Sequence, residues 1–365
     1  MCSYSQEWKT CTCSKEKSST YAAVSNTKSL ENGCNFERKT RNQVREKYQC
    51  LDQTCSLFDM TKLKQTLFSL KLTCARGPDG ISNQTIAHSP HIELKFLLNV
   101  YNQALKEGIC PSAWRLDKKD KPASAISSYR PISLTSCISK LFEKMLKQRI
   151  THWLEANNKL TNVQAGFRSL RSAEDQLLRI VQSIHDGFHK SKPPDRTILA
   201  LIDFSRAFDK VWHTGLLAKL LKLGIPLCWI KWIDAFLQDR IACVEFENHR
   251  SSYRHMHSGV PQGSVLSPTL FLIFIDDIVD QLPITTDSSL FADDLSIWAA
   301  AMVTTMENDP ECRKSEVILF TNDNHQAKLQ PTLRLNNTVL PYNPLQLFWE
   351  SPSTGLYPFA HTSTR

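Results

Sequence analysis

The sequence predicts an α+β fold, and three observations lead there. Apolar residues recur with a helical period in several stretches of the 365-residue chain. One short apolar run, Thr197 to Asp203, has no such period and is bounded by turn residues, as a buried strand would be. Late in the chain two more short runs flank a tight acidic turn, which reads as a hairpin. About 41% hydrophobic residues is enough to fill a core, which argues against wholesale disorder.

In chain order, residues 1 to about 55 are polar and aperiodic and are expected to be a disordered or foreign leader. From Phe58 the pattern changes: Leu63, Leu67, Leu70 and Leu72 fit a short amphipathic helix that ends in the turn-rich Ala75-Arg76-Gly77-Pro78-Asp79-Gly80. His91 to Lys106 is a second helix with Leu94, Leu97, Leu98, Tyr101 and Leu105 on one face, stopped by Gly108. Leu134 to Ala156 is a long helix striped by Ile138, Leu141, Phe142, Met145, Ile150 and Trp153, and another runs from Ser172 to Phe188 before Pro193-Pro194. After the strand at 197–203 come two helices. In the second, Trp229, Trp232, Ile233, Phe236 and Leu237 share one face, so these tryptophans are core rather than a stacking platform. Ile241 to Asn248 and Ser252 to Ser258 read as strands, and Gly259-Val260-Pro261-Gln262-Gly263 turns into a helix from about Ser264 to Leu282. Ser288 to Phe291 and Leu295 to Ala299 then flank Ala292-Asp293-Asp294. Beyond Ala300 the pattern thins, and the Pro-, Asn-, Ser- and Thr-rich end is expected to be poorly structured.

A formal charge of +8, from 44 basic and 36 acidic residues, is compatible with a nucleic-acid partner without requiring one. The twelve cysteines include no Cys-x-x-Cys, and Cys11-Thr12-Cys13 is too tight for a zinc knuckle. Several, such as Cys137 and Cys228, lie in apolar helical patterns as small hydrophobes, so the protein is read as reduced and intracellular. The N-terminus has no apolar h-region, and the longest apolar run, Leu270 to Ile275, is too short to span a bilayer.

Asp203 at the end of the strand and Asp293-Asp294 at the hairpin are the residues that could carry chemistry. Phosphoryl transfer onto a hydroxyl uses two divalent ions roughly 4 Å apart, and Mg²⁺ takes a few carboxylates plus substrate oxygens. Acids on adjoining strands supply such a set. On residue type alone the plainer reading stays open: a strand-end Asp is commonly a turn former and an Asp-Asp pair commonly just solvated. The chain contains its own control, Asp276-Asp277, which follows an apolar helical run and is assigned no chemistry.

The surroundings of the acids go further. LIDFSRAFDKV, SGVPQGSVLSP and LFADDLSIW follow GPDGI, SSYRPISL and QAGFR in one order. Together they resemble the reverse transcriptases of non-LTR, jockey-like retrotransposons, from about Phe58 to Ala300, with a weaker echo in RKSEVILF. The resemblance implies a right-hand polymerase core, with fingers at about 56–195, palm at about 196–300, and a remnant of palm and thumb at 301–365. It implies an RNA-directed DNA polymerase with two Mg²⁺ ions (Mn²⁺ as a substitute) acting on an RNA template, a DNA primer and dNTPs, and a nuclear location. The alternative is a catalytically inactive remnant that at most binds nucleic acid.

By that resemblance Asp203 and Asp293 hold both metals and Asp294 is the adjacent, less demanding carboxylate. Phe208 matches the aromatic that rejects a 2′-hydroxyl, with plain core packing as its rival. Gln262 and Gly263 match the turn that supports nucleotide and template; Arg130 matches the arginine on the triphosphate, for which a planar guanidinium is suited. Arg168 is a candidate template contact and Lys314 a candidate general acid for pyrophosphate, although a surface arginine and a solvated lysine are the commoner cases. Asp209 is expected to make a structural hydrogen bond.

Two departures are expected to matter. Between Trp114 and Tyr129 the family carries an apolar strand, whereas RLDKKDKPASAISS shows no strand-like run. Between Trp298 and Arg313 too few residues remain for a palm helix. The leader is too short for an endonuclease, the residues after Ala300 are too few for a full thumb, and no ribonuclease H acid set or zinc knuckle is visible.

Overall fold

Leu141, Phe142, Met145, Leu146, Ile150 and Leu154 recur at helical spacing and are fully buried, which makes Cys137–Ala156 (α5) the helix around which the larger part of the protein packs. The computed structural model describes residues 38–46, 48, 55–120, 133, 135–189, 197–204, 206–246, 249–250, 252–284, 286–300, 316–320, 334–335 and 338–339. They form two compact units. The first takes its residues from 1–171, 204–281 and 290–293, and the second from 172–203, 282–289 and 294–365.

In the first unit α5 is joined by α1 (residues 38–46), α2 (Met60–Phe68), α3 (Asn83–Ala87), α4 (His91–Glu107), α7 (His213–Leu223), α8 (Leu227–Leu237) and α9 (Ser267–Ile275). Local chemistry sets several of their ends. Asp59 caps α2 by accepting the Lys62 N–H at 2.7 Å, satisfying a donor the helix cannot. Phe142 is the hub of the core, with ring centroids 4.4 Å from Trp232, 5.3 Å from Tyr101, 5.6 Å from Phe58 and 5.7 Å from Trp114. Such pairs add roughly 0.5–1.5 kcal/mol each beyond the area they bury. Trp229 and Trp232 are both core residues, as their spacing implies. The same unit holds a sheet in which β1 (Leu116–Asp120) runs parallel to β3 (Arg240–Phe246), and β4 (His249–Arg250) and β5 (Arg254–Met256) pair antiparallel with β3.

The second unit is built on a sheet of order β6-β7-β2-β8, with β6 at Asp287–Phe291, β7 at Asp294–Ala300, β2 at Thr197–Asp203 and β8 at Glu316–Phe320. β2 is central and antiparallel to both neighbours. Its alternation matters: Leu199 faces Trp298 across the ladder, and both pack with Ile180 and Ile184 of α6 (Ala173–His189). The indole Nε1 of Trp298 donates to Ser183 Oγ at 2.8 Å, so the ring is anchored at its polar end too. Two further short strands, β9 (Arg334–Leu335) and β10 (Thr338–Val339), pair with each other. Among the described residues no helix is long and apolar enough to cross a membrane.

Three expectations are corrected, and a fourth falls almost wholly outside the described residues. Structure begins before residue 56: residues 38–46 are helical, Val44 joins the core, and Tyr48 OH donates to Asp234. A strand does exist at 116–120, because a parallel ladder is made by backbone groups and an end strand needs no apolar run. The second expected deletion lies at residues 299–312, of which all but 299–300 fall outside the described residues. The cysteines are not all free thiols either. Cys55 and Cys228 form a disulfide across a sequence separation of 173, a pairing that only tertiary contact could reveal.

Candidate functional site

β2 ends at Asp203 and β7 begins at Asp294, and these two residues face each other in the antiparallel register. Direct cross-strand partners lie on the same face of a sheet with Cβ atoms about 4.5–5.5 Å apart. Asp203 is half-buried and Asp294 exposed. Asp293, half-buried, precedes Asp294 in the turn that joins β6 to β7. Among the described residues, no three His, Cys, Asp or Glu side chains are gathered as a metal-binding cluster. The donor chemistry of the opposed pair nonetheless suits Mg²⁺, which takes hard oxygens, few protein ligands, and substrate phosphate or water for the rest.

The turn ahead of Asp293 is braced from the Gln-Ala-Gly-Phe-Arg segment. Ala292 has φ of 59°, in the left-handed region that a residue with a Cβ rarely enters. Gln164, fully buried, holds it there: its Oε1 accepts the Ala292 N–H at 3.0 Å and its Nε2 donates to the Ala292 carbonyl at 3.4 Å. Ala165 N–H donates to Leu290 O at 2.9 Å, and Leu290 N–H to Val163 O at 3.0 Å, so the backbones run side by side. Gly166 has to be glycine for this approach, since a Cβ there would lie 2.2 Å from the Ala292 nitrogen.

A second built feature in the first unit is the turn that carries Gln262. Residues 208–211 and 258–260 are joined by two backbone hydrogen bonds: Gly259 N–H donates to Val211 O and Val260 N–H to Phe208 O, each at 2.8 Å. Gly259 has φ of 87° and sits against the Asp209 backbone, where a Cβ would lie 2.7 Å from the carbonyl oxygen. Asp209 makes the hydrogen bond expected of it, accepting from Gln262 Nε2 at 2.9 Å. Phe208 is half-buried, stacked on Phe271 with centroids 4.5 Å apart and met edge-on by Phe167 at 6.4 Å. Its ring is therefore fixed in direction while part of its surface stays open. Gly263 also has positive φ, 110°.

Not every candidate stands where a substrate could reach it. Arg168 is only 9% exposed. Its Nε and Nη2 grip Glu155 at 2.8 and 2.7 Å, and its Nη1 donates to the Thr161 and Gln164 carbonyls. This guanidinium ties α5 to the Gln164 loop and is not a surface arginine. Its pull holds the Glu155 carboxyl below the ordinary range. Arg130 and Lys314 lie outside the described residues. Sequence reasoning missed Gln164 and Glu143, both fully buried polar side chains. For Glu143 a signal existed: with Ser139, Leu146 and Ile150 it lies on the buried face of α5, where a lone acid needs partners.

A family model described as reverse transcriptase (RNA-dependent DNA polymerase) matches residues 116–315 of this chain. The chain is 31% identical over 236 residues to the RNA-directed DNA polymerase from mobile element jockey of Drosophila melanogaster, covering 63% of this chain and 25% of that protein. It is 33% identical over 223 residues to the probable RNA-directed DNA polymerase from transposon BS of the same species, covering 60% and 24%. The chain thus spans about a quarter of the length of these curated relatives. Among solved structures, apo telomerase from Candida tropicalis truncated from its C-terminal domain covers 55% of this chain and 49% of that one, at 14% identity and a TM-score of 0.40, too loose a likeness to argue from.

Proposed function

The chain belongs to the reverse transcriptase family, and on that premise we propose that it is the RNA-directed DNA polymerase core of a non-LTR retrotransposon, with fingers at about 56–195 and palm at about 196–300. The observation that carries the reading is the pairing of Asp203 with Asp294 at one end of a sheet, beside the Asp293 turn and inside the matched segment.

The reaction is attack of a primer 3′-hydroxyl on the α-phosphate of a dNTP opposite an RNA template. A new P–O bond forms, the α–β phosphoanhydride breaks, and pyrophosphate leaves. Asp203 and Asp293 would hold two Mg²⁺ ions, or Mn²⁺, with Asp294 as a third carboxylate. Ions held there would supply a lowered pKa for the attacking hydroxyl and charge stabilisation for the departing pyrophosphate. The Phe208 ring, kept in place by Phe271, lies under the sugar and excludes a 2′-hydroxyl. Gln262 supports the nucleotide from a turn whose backbone can come close to it, and Arg130 and Lys314 serve the triphosphate. The excess of basic residues favours the polyanionic template and primer.

Primer extension tests this directly. Purified chain is given Mg²⁺ or Mn²⁺, an RNA template, a DNA primer and dNTPs, beside an Asp293→Ala control. The expected loss in the control is at least about a thousandfold, several kcal/mol of barrier. Extension no better than the control would leave the non-catalytic remnant as the surviving description. Phe208→Ala is expected to improve use of NTPs relative to dNTPs by roughly tenfold to a hundredfold, the range a steric contact supplies. An unchanged ratio removes the gate from Phe208.

A further inference from the structure

Glu143 lies in the middle of α5 with no exposed surface, among Phe142, Met145 and Leu146. Its Oε1 accepts from Ser139 Oγ at 3.0 Å. Its Oε2 accepts from the Ser264 hydroxyl, from the Val265 N–H at 2.8 Å and from the Leu266 N–H at 3.3 Å. The sequence separations are 121 to 123 residues, so this carboxylate reaches out of its own helix to another element. What it reaches is the start of α9, whose first N–H groups no side chain at the Leu266 N-cap satisfies. Ser264 Oγ, held by Glu143, takes the Leu266 and Ser267 N–H groups in turn, at 3.1 and 3.3 Å. A leucine at 143 would fill the same space without desolvating a charge; what only an acceptor pair provides is this grip on backbone.

The gripped backbone is the continuation of Pro261-Gln262-Gly263. Gln262 is already held on its other sides, its carbonyl by the Ser133 N–H and its amide by Asp209. We propose that Glu143 is a positioning residue for the nucleotide-contacting turn, fixing Ser264, Val265 and Leu266 so that Gln262 is presented to the incoming dNTP at a set height. This role rests on the polymerase reading. It differs from the role of Asp209, which sets the rotation of the Gln262 amide; Glu143 sets the position of the backbone that carries it. Burial pushes the Glu143 carboxyl above the ordinary range, and its bonds to Ser264, Ser139 and Leu266, with the nearby Arg240 charge, draw it back.

Two measurements on the full chain test the role. In steady-state extension on a primed RNA template, Glu143→Ala is expected to raise KM for dNTP by about tenfold or more with kcat changed less than about threefold, the pattern of lost ground-state placement. Glu143→Gln is expected to return KM to within about threefold of the parent, since the amide oxygen still serves the Ser264 and backbone donors while its NH₂ donates to Ser139. A fall in the folded fraction by thermal melt, at unchanged KM, overturns the proposal and leaves Glu143 as core. Hydrogen exchange read on Val265 and Leu266 needs no turnover: faster exchange in Glu143→Ala, reversed in Glu143→Gln, is the expected result, and parental protection in both overturns the brace. If the parent chain itself extends no primer, the polymerase reading falls and the nucleotide role of Glu143 falls with it, whatever the exchange shows.

Discussion

Asp276-Asp277 and Asp293-Asp294 are the same dipeptide in two surroundings. The first pair follows α9, in the 3₁₀ turn Asp276–Gln281. Both carboxylate oxygens of Asp276 accept the Thr161 N–H, at 3.1 and 3.0 Å, and Asp277 pairs with Lys219, which also donates to the Phe274 carbonyl. These acids join elements of one unit to each other. Burial pushes the Asp276 carboxyl up to about 6, so the fold carries that charge at a cost. Asp294, in contrast, begins a strand opposite another aspartate, Asp203, and Asp293 occupies the turn before it. Asp276 and Asp277 are tied to Thr161 and Lys219, whereas the register of β2 and β7 brings Asp203 and Asp294 to paired positions.

The largest test of that contrast is Asp→Asn at each pair in the extension assay. Asp203→Asn is expected to lose at least about a hundredfold in rate, as amides are poor ligands for a hard cation, whereas Asp276→Asn stays within about threefold. Comparable losses at both positions would erase the distinction. A smaller effect is expected in stability. The folded value of Asp276, about 6, exceeds its ordinary 3.8, so between those values the folded state binds more protons than the unfolded one. Stability from this group therefore falls as pH rises through that window and levels off above it. Against Asp276→Asn, the parent is expected to lose roughly 1 kcal/mol between about pH 5 and pH 7, after allowance for partial exposure. Urea melts at the two values measure it, and parallel curves would show that burial does not govern this carboxyl. Smallest is Asp277→Asn, a partly exposed ion pair, expected to shift stability by about 0.5–1 kcal/mol at low salt and less at high salt.

Much of the fold was legible because it is periodic. The α4 stripe, the α5 stripe and the strand at 197–203 follow from side-chain spacing alone, and Asp203 falls at the end of a strand for the same reason. What spacing cannot convey is which backbone a polar atom will meet. β1 is held by parallel partners more than a hundred residues away, so its own Leu-Asp-Lys-Lys-Asp gave no sign of a strand. Gln164 stands in a motif, yet its grip on Ala292 depends on a contact 128 residues distant. Arg168 shows the same limit: a guanidinium in a polar stretch says nothing of Glu155 until the loop is folded. Residue type made the acids visible as candidates, and the pairing of β2 with β7 then decided which of the two adjacent aspartates faces Asp203.

That last choice is a matter of parity. Side chains alternate along β7, so a slip of one residue against β2 would bring Asp293 into the place of Asp294 and send every later side chain to the opposite face. Trp298 would leave α6 and its Ser183 anchor, and buried Leu295 and Ile297 would change sides as well. The large indole in mid-strand thus works as an indexing pin for a carboxylate four residues away. Apolar packing, with no charge of its own, selects which acid the sheet offers.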